Sequence, residues 1–150
     1  MNQPWLQQYD PGVPQTIELP GTPLFQLLTD AAISYPNHVA TEFYGKKTTY
    51  KELDDFANQF ANALLKLNIK KGDRVAIMLP NLPQCVIAYY GILKIGAIVV
   101  MTNPLYVERE LEVQLADCGA ETIVALDIFY PRIEAVFKKT SLKHVILTSV

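Results

Sequence analysis

The stretch Arg74-Val75-Ala76-Ile77-Met78-Leu79-Pro80-Asn81-Leu82-Pro83-Gln84 decides how the rest of the chain is read. Val75 to Leu79 is an unbroken apolar run of strand length, and strands apolar on both faces belong to parallel sheets covered by helices. Pro80 ends the run, and Asn81 with Gln84 is expected to cap a helix reaching about Ile95. Further downstream the alternation continues: Ala97–Met101 reads as a strand, Glu108–Asp117 as a helix closed by Gly119, and Thr122–Leu126 as a strand. Asp127 is expected to cap a helix to about Lys138, and Val145–Val150 makes a last strand. Strands and helices alternating through short links predict an α/β fold: a doubly wound, mainly parallel sheet with flanking helices. No internal sequence repeat accompanies that alternation.

Working upstream, Lys71-Gly72-Asp73 punctuates the chain. Before it, Leu53, Phe56, Ala57, Phe60, Leu64 and Leu67 recur at helical spacing behind a capping box at Thr49-Tyr50-Lys51-Glu52. Val39–Tyr44 and Lys46–Thr49 flank Gly45 and predict a small hairpin. Thr22 is placed to cap a short amphipathic helix with Pro23 first, burying Leu24, Leu27, Leu28 and Ala31 before Pro36. Residues 1–21, with Pro4, Pro11, Pro14, Pro20, Gly12 and Gly21, read as an extended Pro-rich arm without regular structure. The expected division is therefore an arm over 1–21 and an α/β body over 22–150.

Composition narrows the function. With 150 residues and 50% apolar content the chain can build one core, and a formal charge of -2 lacks the basic excess that binding to nucleic acid requires. Lys70-Lys71 and Lys138-Lys139 read as solvated cations near helix ends. The first residues carry no charged start and no apolar run, so no secretory signal is read and a cytoplasmic protein is expected. Val86–Met101 is interrupted by Gly91, Lys94 and Gly96 and falls short of a spanning helix. Cys85 and Cys118 form no metal-binding pair and read as small buried residues. The final strand stops on an apolar residue with no helix after it, which leads to the expectation that this is the front of a longer protein.

Few residues bear chemistry. Gly91 and Gly96 have the spacing of a phosphate loop, but Ala97-Ile98 stands where Lys-Ser/Thr is required and the segment precedes a strand, so helix termination and close packing explain them better. His38 and His144 have no ligand partners at helical or turn spacing, and no metal site is expected. Glu108, Glu110 and Glu112 read as a solvated face at a helix start. No catalytic residue is assigned. The loop Thr102-Asn103-Pro104-Leu105-Tyr106 alone gathers polar and rigid residues at the carboxyl end of a buried strand. Asn103 and Pro104 are thus candidates for the rim of a substrate site, the other reading being an ordinary turn.

Thr49-Tyr50-Lys51-Glu52-Leu53, Gly72-Asp73-Arg74-Val75-Ala76 and Leu93-Lys94-Ile95-Gly96-Ala97 through Asn103-Pro104 resemble the first two core motifs of the adenylate-forming enzymes. Within that superfamily the arm residues Trp5 and Tyr9-Asp10-Pro11-Gly12-Val13-Pro14, with Met78–Gln84 and Asn103-Pro104-Leu105-Tyr106, resemble the bacterial long-chain fatty acyl-CoA synthetases. The resemblance implies that residues 22–150 are an incomplete amino-terminal subdomain of a larger enzyme. That enzyme uses ATP, Mg2+ and CoA to convert a long-chain fatty acid first to an acyl-adenylate and then to a thioester. Its phosphate loop, adenine site and catalytic lysine have no counterpart in residues 1–150, so this chain alone is expected to be inactive and to bind none of these cofactors. Lys94 is not that lysine; its place between Leu93 and Ile95 favours a structural or solvated role.

The resemblance also implies a possible homodimer through the amino-terminal region and at most peripheral membrane contact, although no basic amphipathic helix supports the latter. Two other readings remain open. One is a stand-alone flavodoxin-like binding or dimerisation module; the other is a ligase for an aromatic or medium-chain acid.

Overall fold

A computed structural model describes residues 3–150, so the first two residues of the expected arm lie outside the described residues. The helices are α1 (Gln26–Ser34), α2 (Tyr50–Lys66), α3 (Pro83–Lys94), α4 (Glu108–Cys118) and α5 (Tyr130–Phe137). The strands are β1 (Val39–Phe43), β2 (Lys46–Thr49), β3 (Arg74–Met78), β4 (Ile98–Met101), β5 (Thr122–Leu126) and β6 (His144–Thr148).

The principal sheet is parallel, with strand order β4-β3-β5-β6. Val75, Ala76, Ile77 and Met78 of β3 are all fully buried, and every residue of β5 is buried. This is the two-faced burial that the continuous apolar run predicts. From β3 the chain crosses to β4 on one side and then returns past β3 to β5 and β6 on the other. Right-handed crossovers therefore place α3 on one face and α4 with α5 on the opposite face. The contacts agree: α3 packs on α2, and α4 packs on α5.

The α2–α3 contact is a close one. Ala57 and Ala61 of α2 are buried, and a Cβ added to Gly91 would lie 2.8 Å from Phe60 Cδ1 and 3.0 Å from the Ala57 carbonyl oxygen. Gly91 is therefore a packing glycine. Phe56 and Leu67 of the expected stripe are partly exposed instead, while Leu53, Ala57, Ala61 and Leu64 are the stripe's buried residues. Across the same seam Lys94 Nζ lies 2.7 Å from Asp54 Oδ1 and donates to Asn58 Oδ1 at 2.7 Å. Asp54 also accepts from Thr29 Oγ1 at 3.3 Å, so one carboxylate ties α1, α2 and α3 together. Lys94 thus has a structural role.

The hairpin forms as expected, with Tyr44 (φ 48) and Gly45 (φ 78) supplying the two left-handed residues of a tight turn. Thr49 caps α2 through a complete capping box: Glu52 N donates to Thr49 Oγ1 at 3.3 Å, and Thr49 N donates to Glu52 Oε2 at 2.8 Å.

Four local expectations are corrected. The arm is not wholly irregular, because Pro4–Gln8 forms a 3-10 turn with proline pre-setting its first position. Helix α1 begins at Gln26, not at Pro23, and buries Leu28 while Leu24 and Leu27 stay exposed. The α3 cap is not Asn81: Leu82 occupies the cap position without a side-chain bond, and Pro83 needs no acceptor because it has no N–H. Asp127 opens a 3-10 turn, Asp127–Phe129, ahead of α5, and its carboxylate accepts from the next amide, Ile128 N, at 2.8 Å.

The capping box carries a pH signature. The backbone hydrogen bond from Thr49, followed by its hydroxyl, holds the Glu52 carboxyl below the usual glutamate range. A depressed carboxyl contributes stability that is present above its unfolded value and lost as pH falls through its folded value. The stability difference between the native chain and Glu52→Gln should stay constant from about pH 6 to 8 and shrink below about pH 4. Urea-unfolding midpoints across that range check this, and a difference independent of pH would refute the assignment.

Candidate functional site

In a doubly wound sheet the ligand crevice lies beyond the carboxyl ends of the strands, where loops leave toward opposite faces. Here the reversal falls between β3 and β5, whose following segments are Leu79–Leu82 and Asp127–Phe129. The loop after β4 adjoins this reversal, because β4 pairs with β3 along Arg74–Ile77 and Ile98–Met101. Asn103 and Pro104 therefore stand at the correct end of the sheet, on the strand beside the crossover point.

Their geometry is built from both ends. Thr102 is buried, and its amide extends the β3–β4 ladder by donating to the Ile77 carbonyl at 2.9 Å. Asn103 Oδ1 accepts from Leu105 N at 3.0 Å, while the Asn103 carbonyl accepts from Tyr106 N at 3.1 Å. The asparagine side chain thus folds its own loop into a turn. Pro104 is half-buried, and Leu105 at the tip is 81% exposed.

Two residues that sequence reasoning did not single out complete the loop. Gln114 of α4 donates from Nε2 to the Met101 carbonyl at 3.0 Å. Arg132 of α5 donates from Nη1 to the Pro104 carbonyl at 3.0 Å and to the Tyr106 carbonyl at 3.1 Å, with its guanidinium 5.2 Å from the Phe129 ring centre. Nothing in the local pattern marks Arg132, since its partners are main-chain oxygens 26 and 28 residues away. On the other side of the reversal, Gln84 donates from Nε2 to the Ser149 carbonyl at 3.2 Å, linking the start of α3 to the segment after β6.

A groove of about 430 Å³ opens beside Leu82 and Pro83, against Phe43 of the hairpin and Cys85 and Val86 of α3. Burial pushes the Cys85 thiol up, so it remains protonated and unreactive near neutrality.

The glycines and acids do not build a nucleotide or metal site. The space above Gly91 is filled by Phe60 and Ala57, which bars a phosphate there, and Gly96 (φ 74) sits against the Lys71 side chain. Glu110 accepts from Val107 N at 3.1 Å at the start of α4, and Glu112 pairs with Lys139, just beyond α5, at 3.2 Å. Among the described residues no group of three acidic, histidine or cysteine side chains is placed to hold a metal ion. These residues do not fit ATP with Mg2+.

Comparison with known proteins decides the family. Residues 28–149 match the model of the AMP-binding enzymes. The chain belongs to that family. It is 43% identical over 148 residues to a long-chain-fatty-acid–CoA ligase of Bacillus subtilis (strain 168), covering 99% of this chain and 26% of the relative. It is also 43% identical over 150 residues to the ligase of the same name in Salmonella typhimurium, covering 99% of this chain and 27% of the relative. The chain thus spans about a quarter of the length of these relatives. A long-chain-fatty-acid-CoA ligase from Archaeoglobus fulgidus shares the fold (TM-score 0.82, 23% identity), over 94% of this chain and 30% of that structure. An anthranilate CoA ligase bound to anthranoyl-AMP superposes with TM-score 0.81 at 27% identity, over 85% of this chain and 25% of that structure. No described helix is long and apolar enough to cross a membrane.

The Asx turn has a direct test. Asn103→Ala removes the acceptor for Leu105 N and should speed exchange of that amide by about fivefold or more, whereas Asn103→Asp keeps the acceptor and should stay within about twofold of the native rate. Residue-resolved hydrogen exchange reads the difference; equal rates in both variants would show that the side chain does not fold the loop.

Proposed function

We propose that this chain is the amino-terminal portion of an AMP-forming long-chain fatty acid–CoA ligase. In that reaction the fatty carboxylate bonds to the α-phosphorus of ATP with loss of pyrophosphate, and the CoA thiol then takes the acyl group with loss of AMP. The observation that carries this reading is the 43% identity along 99% of the chain to relatives bearing that name.

Within this reading, residues 3–21 are an amino-terminal arm and residues 22–150 an incomplete α/β subdomain that supplies walls to the site. Exposed Trp5, Ile17 and Leu19 on the arm support a role in contact with another surface, including a second copy of the protein. The exposed Leu147 and Val150 and the groove between α5 and β6 support packing against further parts of a larger body. Asn103 and Pro104 form part of the rim that receives the acid. ATP, Mg2+ and CoA are bound by residues outside this chain, and the protein works in the cytoplasm. The 150 residues alone catalyse nothing.

Isotope exchange between ATP and pyrophosphate tests the proposal. The full-length protein should show exchange dependent on palmitate and not on anthranilate, and the 150-residue chain should show none. Exchange by the short chain, or an absence of palmitate dependence in the full-length protein, would overturn it.

A further inference from the structure

We infer that Arg132 is a positioning residue that presents the Pro104–Tyr106 segment, with Leu105 at its tip, toward the acyl portion of the substrate. The inference rests on the reading of this loop as part of the acid-binding rim. None of the ion pairs among the described residues includes Arg132. Its charge is met instead by two carbonyl oxygens, at 3.0 and 3.1 Å, and by the face of the nearly buried Phe129. Charge-assisted bonds of this kind are stronger than neutral ones, and a planar guanidinium stacked on a ring loses little further freedom in making them.

The two anchored carbonyls flank Leu105. Its neighbours on either side are fixed while its own side chain is 81% exposed, so an apolar group is held outward at the carboxyl end of the sheet. A fixed, solvent-facing leucine beside the topological reversal is suited to a hydrocarbon chain. Arg132 itself comes from the helix after β5, and the loop follows β4. The contact between them therefore spans the carboxyl end of β3, which lies between those strands.

Two readouts on the full-length protein test this, with Arg132→Gln and Arg132→Lys. First, hydrogen exchange of the peptide covering residues 103–107 should accelerate about tenfold in Arg132→Gln, while peptides from α4 and β5 keep their rates. Second, in palmitate-dependent ATP–pyrophosphate exchange, Arg132→Gln should raise KM for palmitate about tenfold, with KM for ATP and kcat within about twofold; Arg132→Lys, which keeps the charge but not the planar guanidinium, should recover only part of the loss. Unchanged exchange in the loop would overturn the positioning role. Accelerated loop exchange with an unchanged palmitate KM would overturn its link to the substrate. Uniform acceleration of all peptides would assign Arg132 to global stability alone, again overturning the inference. If the native protein shows no acid-dependent exchange, the functional reading fails by itself, and the hydrogen-exchange arm still decides whether Arg132 holds the loop.

Discussion

The double-sided burial of β3 is the constraint on which the rest depends. A strand whose Val75, Ala76, Ile77 and Met78 are all removed from water needs a paired strand on each side and a helical layer on each face. Those requirements are met here because the chain leaves β3 in one direction and comes back past it in the other. Fully burying a side chain such as Ile77 contributes about 1.5–3 kcal/mol, so exposing any one face of β3 would forfeit several such contributions at once. The close seam between α2 and α3 follows from the same demand. Covering one face with two helices requires them to approach where Gly91 meets Ala57, and the Asp54–Lys94 pair then closes the end of that seam.

The reversal about β3 also fixes where function can sit. Loops leaving the carboxyl ends of neighbouring strands toward opposite faces create a crevice, and the loop after β4 is held at its edge by its own Asn103, by Gln114 from α4 and by Arg132 from α5. Each of these bonds ends on a main-chain carbonyl or amide, leaving the outward surface of the loop free. The chain thus presents an anchored loop with Leu105 exposed at its tip, and under the proposed function the donor groups for phosphate, metal and leaving-group chemistry belong to the rest of the enzyme. This division accords with a segment spanning about a quarter of its relatives' length.

What the sequence revealed depended on how local the controlling interaction is. The apolar run of β3, the Thr49–Glu52 box, the turn at Gly45 and the stop at Gly119 are each set by a few adjacent residues, and each was legible. Asn81 was a reasonable cap by residue type, yet Leu82 takes the cap position and Pro83 the first helical one, with no side-chain acceptor. Phe56 belonged to the periodic stripe, but α2 meets Gly91 of α3 through Ala57 and Phe60, a choice that only the partner helix reveals. Leu24 and Leu27 lost to the same limit, because periodicity does not say which neighbour will cover a face. At the candidate site, the position of Asn103 and Pro104 after a buried strand was visible; Arg132 was not, since its partners are distant carbonyls that carry no side-chain signal.

The central claim is that this wall borders the acid being activated. The most direct measurement is an experimental structure of the full-length protein bound to a non-hydrolysable palmitoyl-adenylate analogue. The account predicts the hydrocarbon in van der Waals contact with the Asn103–Tyr106 loop, and that loop still anchored to Arg132. An analogue bound in full with this loop facing solvent, and no atom of residues 102–106 touching it, would contradict the account.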